Sequence, residues 1–319
     1  MTHTYLPPFA PGSVSLRVYL HDGLPADEIV RHEMNQAKRA AEAGFDGIMM
    51  GEHHGGFPGY IPNPIQVAGW MLDAMPGGWA APCPLLLPLR SWAMAAEDIA
   101  WLNARFPGRV GLGVAAGSLE ADFQIMGLSK EGYIERFLDG FGHIAAALRG
   151  RPEGELAKDP AIKRCVDHPL PRLSASTSPR GCRVAASVGA GLLFESMTPP
   201  PRLRELAKIY YDAGGPGPIV LIRRVWVGET TFERQDRQLG VYRSYAGDNV
   251  TQHWNANQII NGTADEVADG LAEAALAVGA DALNLRIHVP GVTPDEIVQQ
   301  IDALGPMLTK LRTLYPWKR

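Results

Sequence analysis

Short apolar runs alternate along the chain with longer amphipathic stretches, the pattern expected of βαβ units built on a parallel sheet. Val14–Leu20 (VSLRVYL) reads as the first strand. Pro25, Asp27 and Glu28 open a helix to Ala43, and Gly44 supplies its left-handed cap. Phe45–Met50 is the second strand. Asn63 as N-cap and Pro64 in the first turn start a helix to about Ala74. Further strands are predicted over Trp79–Leu87, Arg109–Ala115, Leu170–Ala175, Leu192 and Leu193, Ile219–Val227 and Ala282–Ile287. The helices between and after them fall at Ser91–Ala104, Glu131–Leu148, Pro179–Val188, Arg202–Tyr211, Phe232–Tyr245, Ala264–Val278 and Pro294 to about Leu314.

Eight strands separated by helices in 319 residues predict an α/β fold, a single (β/α)8 TIM barrel with insertions occupying residues 1–319. An open doubly wound sheet is the alternative, but no GxGxxG follows the first strand. Residues 149–169, proline-rich and charged, read as an excursion. Residues 228–262, polar and weakly periodic, read as a mobile insertion near the mouth of the site.

Composition narrows the function. The 35 glycines and 26 prolines fall between apolar runs, so they mark tight connections rather than disorder. A net charge of −4 gives no basic surface for nucleic acid or an anionic membrane. Cys83, Cys165 and Cys182 are too few and too scattered for a disulfide framework, and no Cys/His spacing fits a metal site. The opening residues lack a basic segment followed by an apolar one, and Trp79–Leu89 is too short and proline-rich to span a bilayer. The expectation is a soluble cytoplasmic protein.

In a parallel barrel, ligands bind where the strands end at their C-terminal edge. Glu52, His53 and His54, flanked by glycines, follow the second strand. Histidine transfers protons near neutral pH and a carboxylate can fix its tautomer, although two loop histidines can also serve as structural hydrogen-bonding groups. Ser176, Thr177 and Ser178 precede Pro179 at a helix start, with Arg180 and Gly181 after it. Such a terminus binds phosphate, while simple N-capping needs one hydroxyl only. Gly111–Ser118 (GLGVAAGS), with Ala115, Ala116 and Gly117 at the strand end, would let a flat ring approach the backbone. Cys83-Pro84 interrupts a central strand, where a bulge or a cis peptide would accommodate the proline. Phe57, Tyr60, Trp92 and Trp254 suggest a partly apolar substrate, or ordinary packing.

The segments AGFDGIMMGEHH (Ala43–His54), LLLPLRSWAMAAEDIAWL (Leu85–Leu102), GRVGLGVAAGSLEADFQIMG (Gly108–Gly127), SPRGCRVAASVGAG (Ser178–Gly191) and NGTADEVADGLAEAALAVGADALNLRIHVPG (Asn261–Gly291) occur in this order. Together they resemble the bacterial luciferase-like flavin-dependent monooxygenases over nearly the whole chain. The resemblance implies a flavin in the barrel mouth, its phosphate after the fifth strand at Thr177, Ser178 and Gly181, and its ring over Cys83-Pro84, whose peptide bond it implies is cis. It implies that His53 is the acid/base residue and Glu52 its orienting carboxylate. It also implies reduced FMN from a separate flavin reductase, a C4a-peroxyflavin formed with dioxygen, and a homodimer packed through the early helices. Glu-His-His, where the deazaflavin-dependent branch more often has Asp-His, favours FMN over a deazaflavin coenzyme. A non-catalytic flavin-binding protein is a third possibility, opposed by the intact Glu52-His53-His54. Two positions depart from the family pattern: Ser91-Trp92 replaces a common His-Pro, and Ala116 stands where luciferase has a phosphate-gripping arginine.

Overall fold

The computed structural model describes residues 4–229, 232–245 and 259–317. The strands are β1 (Val14–Arg17), β2 (Gly47–Met50), β3 (Trp79–Pro82), β4 (Leu85–Leu86), β5 (Leu112–Ala115), β6 (Arg172–Ser174), β7 (Gly191–Phe194), β8 (Ile219–Val227), β9 (Ile259–Gly262) and β10 (Ala282–Arg286). They form one sheet in the order β3-β2-β1-β10-β8-β7-β6-β5-β4, with β9 added beside β8. Every pairing between these strands is parallel.

The sheet closes on itself at its two ends. Ala80 in β3 forms a parallel bridge with Val110, just before β5. Its N–H donates to the Arg109 carbonyl at 3.0 Å, and its carbonyl accepts from Gly111 N–H at 3.2 Å. β3 and β4 are therefore the lower and upper halves of one barrel strand, broken at Cys83-Pro84, whose peptide bond is cis. With that pair counted as one stave, the barrel has the eight staves the alternation predicted.

The helices are α1 (Ala26–Ala43), α2 (Pro64–Ala74), α3 (Trp92–Arg105), α4 (Glu120–Ile125), α5 (Tyr133–Ala147), α6 (Pro160–Arg164), α7 (Pro179–Ser187), α8 (Pro200–Asp212), α9 (Phe232–Tyr245), α10 (Ala264–Val278) and α11 (Pro294–Thr313). Their ends follow local chemistry. Gly44 caps α1 at φ 102°, and Asn63 accepts from Gln66 N–H at the start of α2. Thr263 with Glu266 and Thr293 with Glu296 form capping boxes on α10 and α11.

Residues 149–169 carry more structure than their sequence suggests, and 228–262 adds one strand to the predicted helix. The 149–169 excursion folds into a 3₁₀ turn at Gly154–Lys158 and then α6, burying Ile162 and Cys165 in the helical shell. Within 228–262, α9 forms over the helix the sequence predicts, and the further strand β9 pairs with Arg224–Val227 of β8. Trp254 lies outside the described residues.

Side-chain alternation along the strands divides the core in two. Val14, Leu16, Ile48, Leu112, Leu221 and Leu285 belong to the shell packed by the helices. Met49, Trp79, Ala81, Cys83, Leu173, Leu193, Val220, Ile222 and Ala282 fill the barrel with Phe9. Phe9 stacks edge-on against Trp79 at 5.2 Å. It holds a left-handed backbone (φ 61°) under Gly111, where a Cβ would come within 2.6 Å of its ring. Register then sets layers inside the barrel: Ala282 beside Val220, then Ser15, Asn284 and Ile222, then Arg17, Arg286 and Arg224.

Candidate active site

A cavity of about 270 Å³ opens at the C-terminal ends of the strands, near the lower end of the roughly 300–1,000 Å³ usual for ligand pockets. Pro84, Leu86, Ala175, Leu193 and Ile222 give it apolar surface. His53, Phe57 and Tyr60 form one wall, and Arg17, Tyr19, Arg224 and Arg286 form another.

His53 is held by a partner that the sequence did not reveal. Its Nδ1 lies 2.7 Å from Oδ2 of Asp122, and Oδ1 of the same carboxylate accepts His54 N–H at 2.9 Å. Asp122 is buried on α4, a helix absent from the sequence reading. With Nδ1–H donated to the carboxylate, Nε2 of the neutral ring is the nitrogen available for proton transfer. The ring is flanked by Phe57 at 4.7 Å and Tyr60 at 4.5 Å.

Glu52 does not orient His53, contrary to the expectation. Its Oε1 lies 2.9 Å from Nε2 of His54 and pairs with the Arg90 guanidinium, while Oε2 accepts Leu86 N–H at 2.6 Å. Alternation places the two histidines on opposite sides of the chain, so adjacent residues acquire different carboxylates. His54 does not line the cavity, and burial lowers its pKa, opposed by the nearby Asp122. Glu52 N–H also donates to the Pro84 carbonyl at 3.1 Å, tying the β2 end to the cis turn. The histidine motif thus combines one cavity-facing histidine with a structural pair.

The floor is similarly divided. Pro84 faces the cavity, whereas Cys83 is fully buried, and burial pushes its thiol up to about 12 despite Arg17 nearby. Its sulfur packs on Gly113, where a Cβ would lie 2.0 Å from Sγ. The Cys83 carbonyl accepts from Arg17 Nη1 at 2.9 Å. Ala115, Ala116 and Gly117 stop short of the cavity, and the loop contributes Ser118 and Leu119 instead. Gly117 turns the chain at φ 75°.

At α7, Thr177 reaches the cavity and is exposed. Ser178 is the N-cap, accepting Gly181 N–H at 3.1 Å. Ser176 is turned inward, its Oγ 2.8 Å from that of Ser174, and a Cβ on Gly181 would come within 2.6 Å of it. The burial of Ser176 removes it from the expected phosphate contacts. Arg180 is exposed beside the helix start. Phe57 and Tyr60 line the cavity as expected, but Trp92 stacks on His143 at 4.7 Å, outside it.

In the arginine wall, Arg17 is buried, with Nε donating to Tyr19 Oη at 2.9 Å and Nη1 to Asn284 Oδ1 at 3.4 Å. Arg286 lies over the Tyr19 ring, 4.0 Å from its centroid. Burial raises the Tyr19 pKa, but Arg17 and Arg286 outweigh it and bring the phenol down to about 8. The sequence motifs do not mark these arginines as site residues. Their sequence signal was an arginine near the end of each of three apolar strands, VSLR, IVLIRR and ALNLR.

A closed parallel barrel carrying a carboxylate-held histidine at its C-terminal mouth defines a barrel enzyme, and the comparisons specify which kind. The luciferase-like monooxygenase family model matches residues 14–307, so the chain belongs to that family of oxidoreductases. Among solved structures, it is similar to the monooxygenase RslO1 from Streptomyces bottropensis, at 18% identity and TM-score 0.77, covering 92% of this chain and 97% of that one. The oxygenating constituent of 3,6-diketocamphane monooxygenase from the CAM plasmid of Pseudomonas putida, in complex with FMN, matches at 16% identity and TM-score 0.77, covering 95% and 98%. An F420-dependent secondary alcohol dehydrogenase with an F420–acetone adduct matches at 16% identity and TM-score 0.73, covering 94% and 98%. At these identities the structural matches establish the common fold.

Proposed function

We propose that the chain is a flavin-dependent monooxygenase that uses reduced FMN and dioxygen to oxidise a partly apolar small organic substrate. The observation that carries this reading is the His53–Asp122 pair, which leaves a proton-transfer nitrogen at an apolar cavity reaching from Pro84 to Thr177. The cavity suits a flavin: Pro84, Ala175, Leu193 and Ile222 offer apolar surface to a planar ring, and the α7 N-terminus lies at the cavity edge. Thr177, with the free N–H groups of α7 and Arg180, would hold the phosphate. Ser178 would support that turn by capping it.

Reduced FMN would supply the electrons that activate dioxygen, one oxygen atom entering the substrate and the other leaving as water. His53 would hold or deliver a proton at Nε2, with Asp122 fixing its tautomer. Phe57, Tyr60 and Leu193 would limit water at the reacting atoms. The expected partners are a separate flavin reductase and a second copy of the chain. Trp70 on α2, with Met94 and Trp101 on α3, exposes apolar surface of the kind a homodimer through the early helices would cover. No described helix is long and apolar enough to cross a membrane.

Anaerobic titration of the full chain with reduced FMN, oxidised FMN and the F420 deazaflavin, followed by fluorescence, tests the cofactor. Preference for reduced FMN, followed by substrate-dependent oxygen uptake on aeration, is the expected result. Binding of F420 alone would replace this reading with hydride transfer. Tight binding of oxidised FMN without turnover would indicate a flavin-holding protein.

A further inference from the structure

Three arginines share one row across three adjacent strands. Arg17 of β1 is in register with Arg286 of β10, and Arg286 is in register with Arg224 of β8. Neighbouring strands lie about 4.8 Å apart, so the row brings three cations close together, and all three line the cavity. Like charges opposite one another in a sheet oppose its pairing. Burial deepens that cost unless the cations meet opposite charge.

Among the described residues, Arg17 finds no anion. Its hydrogen bonds go to the Tyr19 hydroxyl, the Cys83 carbonyl and the Asn284 side-chain carbonyl, all neutral acceptors when Tyr19 is protonated. Among the described residues, the carboxylates lining the same cavity are Glu52 and Glu195, and their hydrogen bonds do not go to Arg17. Glu52 takes Arg90, His54 and Leu86 N–H, and Glu195 accepts from Met197 N–H and the Thr198 hydroxyl. Phe57 and Tyr60 supply apolar surface in the same cavity.

We propose that the organic substrate is a carboxylate with an apolar body, its two oxygens seated on the Arg17–Arg286–Arg224 row and its apolar part directed toward Phe57 and Tyr60. Planar guanidinium forks match the two oxygens of a carboxylate. The row also separates the two anionic groups expected at the site: the flavin phosphate at α7, beside β6, and the substrate carboxylate on β1, β10 and β8. The proposal rests on this cavity being the reaction site, and its test separates the two ideas.

Calorimetric titration of the flavin-free full chain with phenylacetate against phenylacetamide, and octanoate against octanamide, compares acids with neutral amides of the same shape. At least one acid binds about tenfold tighter than its amide, and its affinity falls with added salt. Arg286→Gln, confirmed folded by circular dichroism, loses about tenfold for that acid and leaves its amide and FMN unchanged. Equal binding of acids and amides by the unaltered chain overturns the proposal, even if the variant does not fold. So does absence of acid binding, or an Arg286→Gln loss of FMN and inorganic phosphate affinity equal to the loss for the acid, which would make the row the flavin-phosphate seat. Acid-selective binding in a chain that takes no flavin would retain the carboxylate seat and remove the flavin reading.

Discussion

Nδ1 of His53 lies 2.7 Å from Oδ2 of Asp122, a residue 69 positions further along the chain. One carboxylate fixes both the imidazole and, through His54 N–H, the loop that carries it. The arrangement follows the logic of a base oriented by a buried acid, in which the acid selects the tautomer.

Asp122→Asn is expected to reduce product formation by about 10²-fold while leaving flavin affinity nearly unchanged. Nitrogen-15 NMR of the unaltered protein would show Nε2 of neutral His53 unprotonated, and the asparagine variant would lose that single-tautomer signature. His53→Ala should cost a similar factor, and the double variant little more, because the pair acts as a unit. Additive losses would assign Asp122 a separate role.

The two hydroxyls at α7 should divide between stability and binding. Ser178→Ala removes an N-cap and costs about 1 kcal/mol in urea unfolding. Thr177→Ala should leave unfolding unchanged and weaken FMN about tenfold, near 1.4 kcal/mol, with riboflavin unaffected. Equal losses for FMN and riboflavin would remove Thr177 from the phosphate site.

Gly113 is required by the packing of Cys83 beneath the cavity floor. Gly113→Ala would drive a methyl into Sγ and also within 2.9 Å of Cys83 Cβ, so a loss of about 1–3 kcal/mol is expected in urea unfolding. Combining it with Cys83→Ala should recover only part of that loss, because the Cβ contact remains. Full recovery would place the entire conflict at sulfur.

Tyr19 gives carboxylate binding a defined pH dependence. The groups facing it are Arg17 from β1, Arg286 from β10, Tyr60 from the loop after β2 and His288 beyond β10, with Asp22 and Arg237 beside the adjoining groove. With its phenol near 8, the neutral form prevails below that pH and the cations remain available to a bound acid. Above it the phenolate competes, and acid affinity should weaken by up to about tenfold per pH unit. Tyr19→Phe should abolish this fall while leaving binding at pH 7 nearly unchanged, as calorimetry at several pH values would show. Stability has the opposite sign: the lowered phenol pKa adds stability as pH rises from about 8 toward 10, and that contribution is lost as pH falls through 8.

The amino-acid sequence by itself determined the alternation of strands and helices and the caps at Gly44 and Asn63, while the family resemblance supplied the cis bond at Cys83-Pro84; the structure contains all of them. The alternation and the caps depend on neighbouring residues: period, capping oxygens and glycine at positive φ. Position after a barrel strand marked Glu52, His53 and His54 together, and the family resemblance chose His53 among them. Tertiary structure decided which carboxylate serves which histidine, since Asp122 reaches His53 only when the short α4 folds back over the β2 loop. It turned Ser176 inward and presented Ser118 and Leu119 instead of Ala115–Gly117. It also aligned Arg17, Arg286 and Arg224, distant in sequence and brought into one row by parallel register. Local chemistry sets where an element begins and ends, whereas the side chains that share a cavity depend on barrel closure and on which face of each strand points inward.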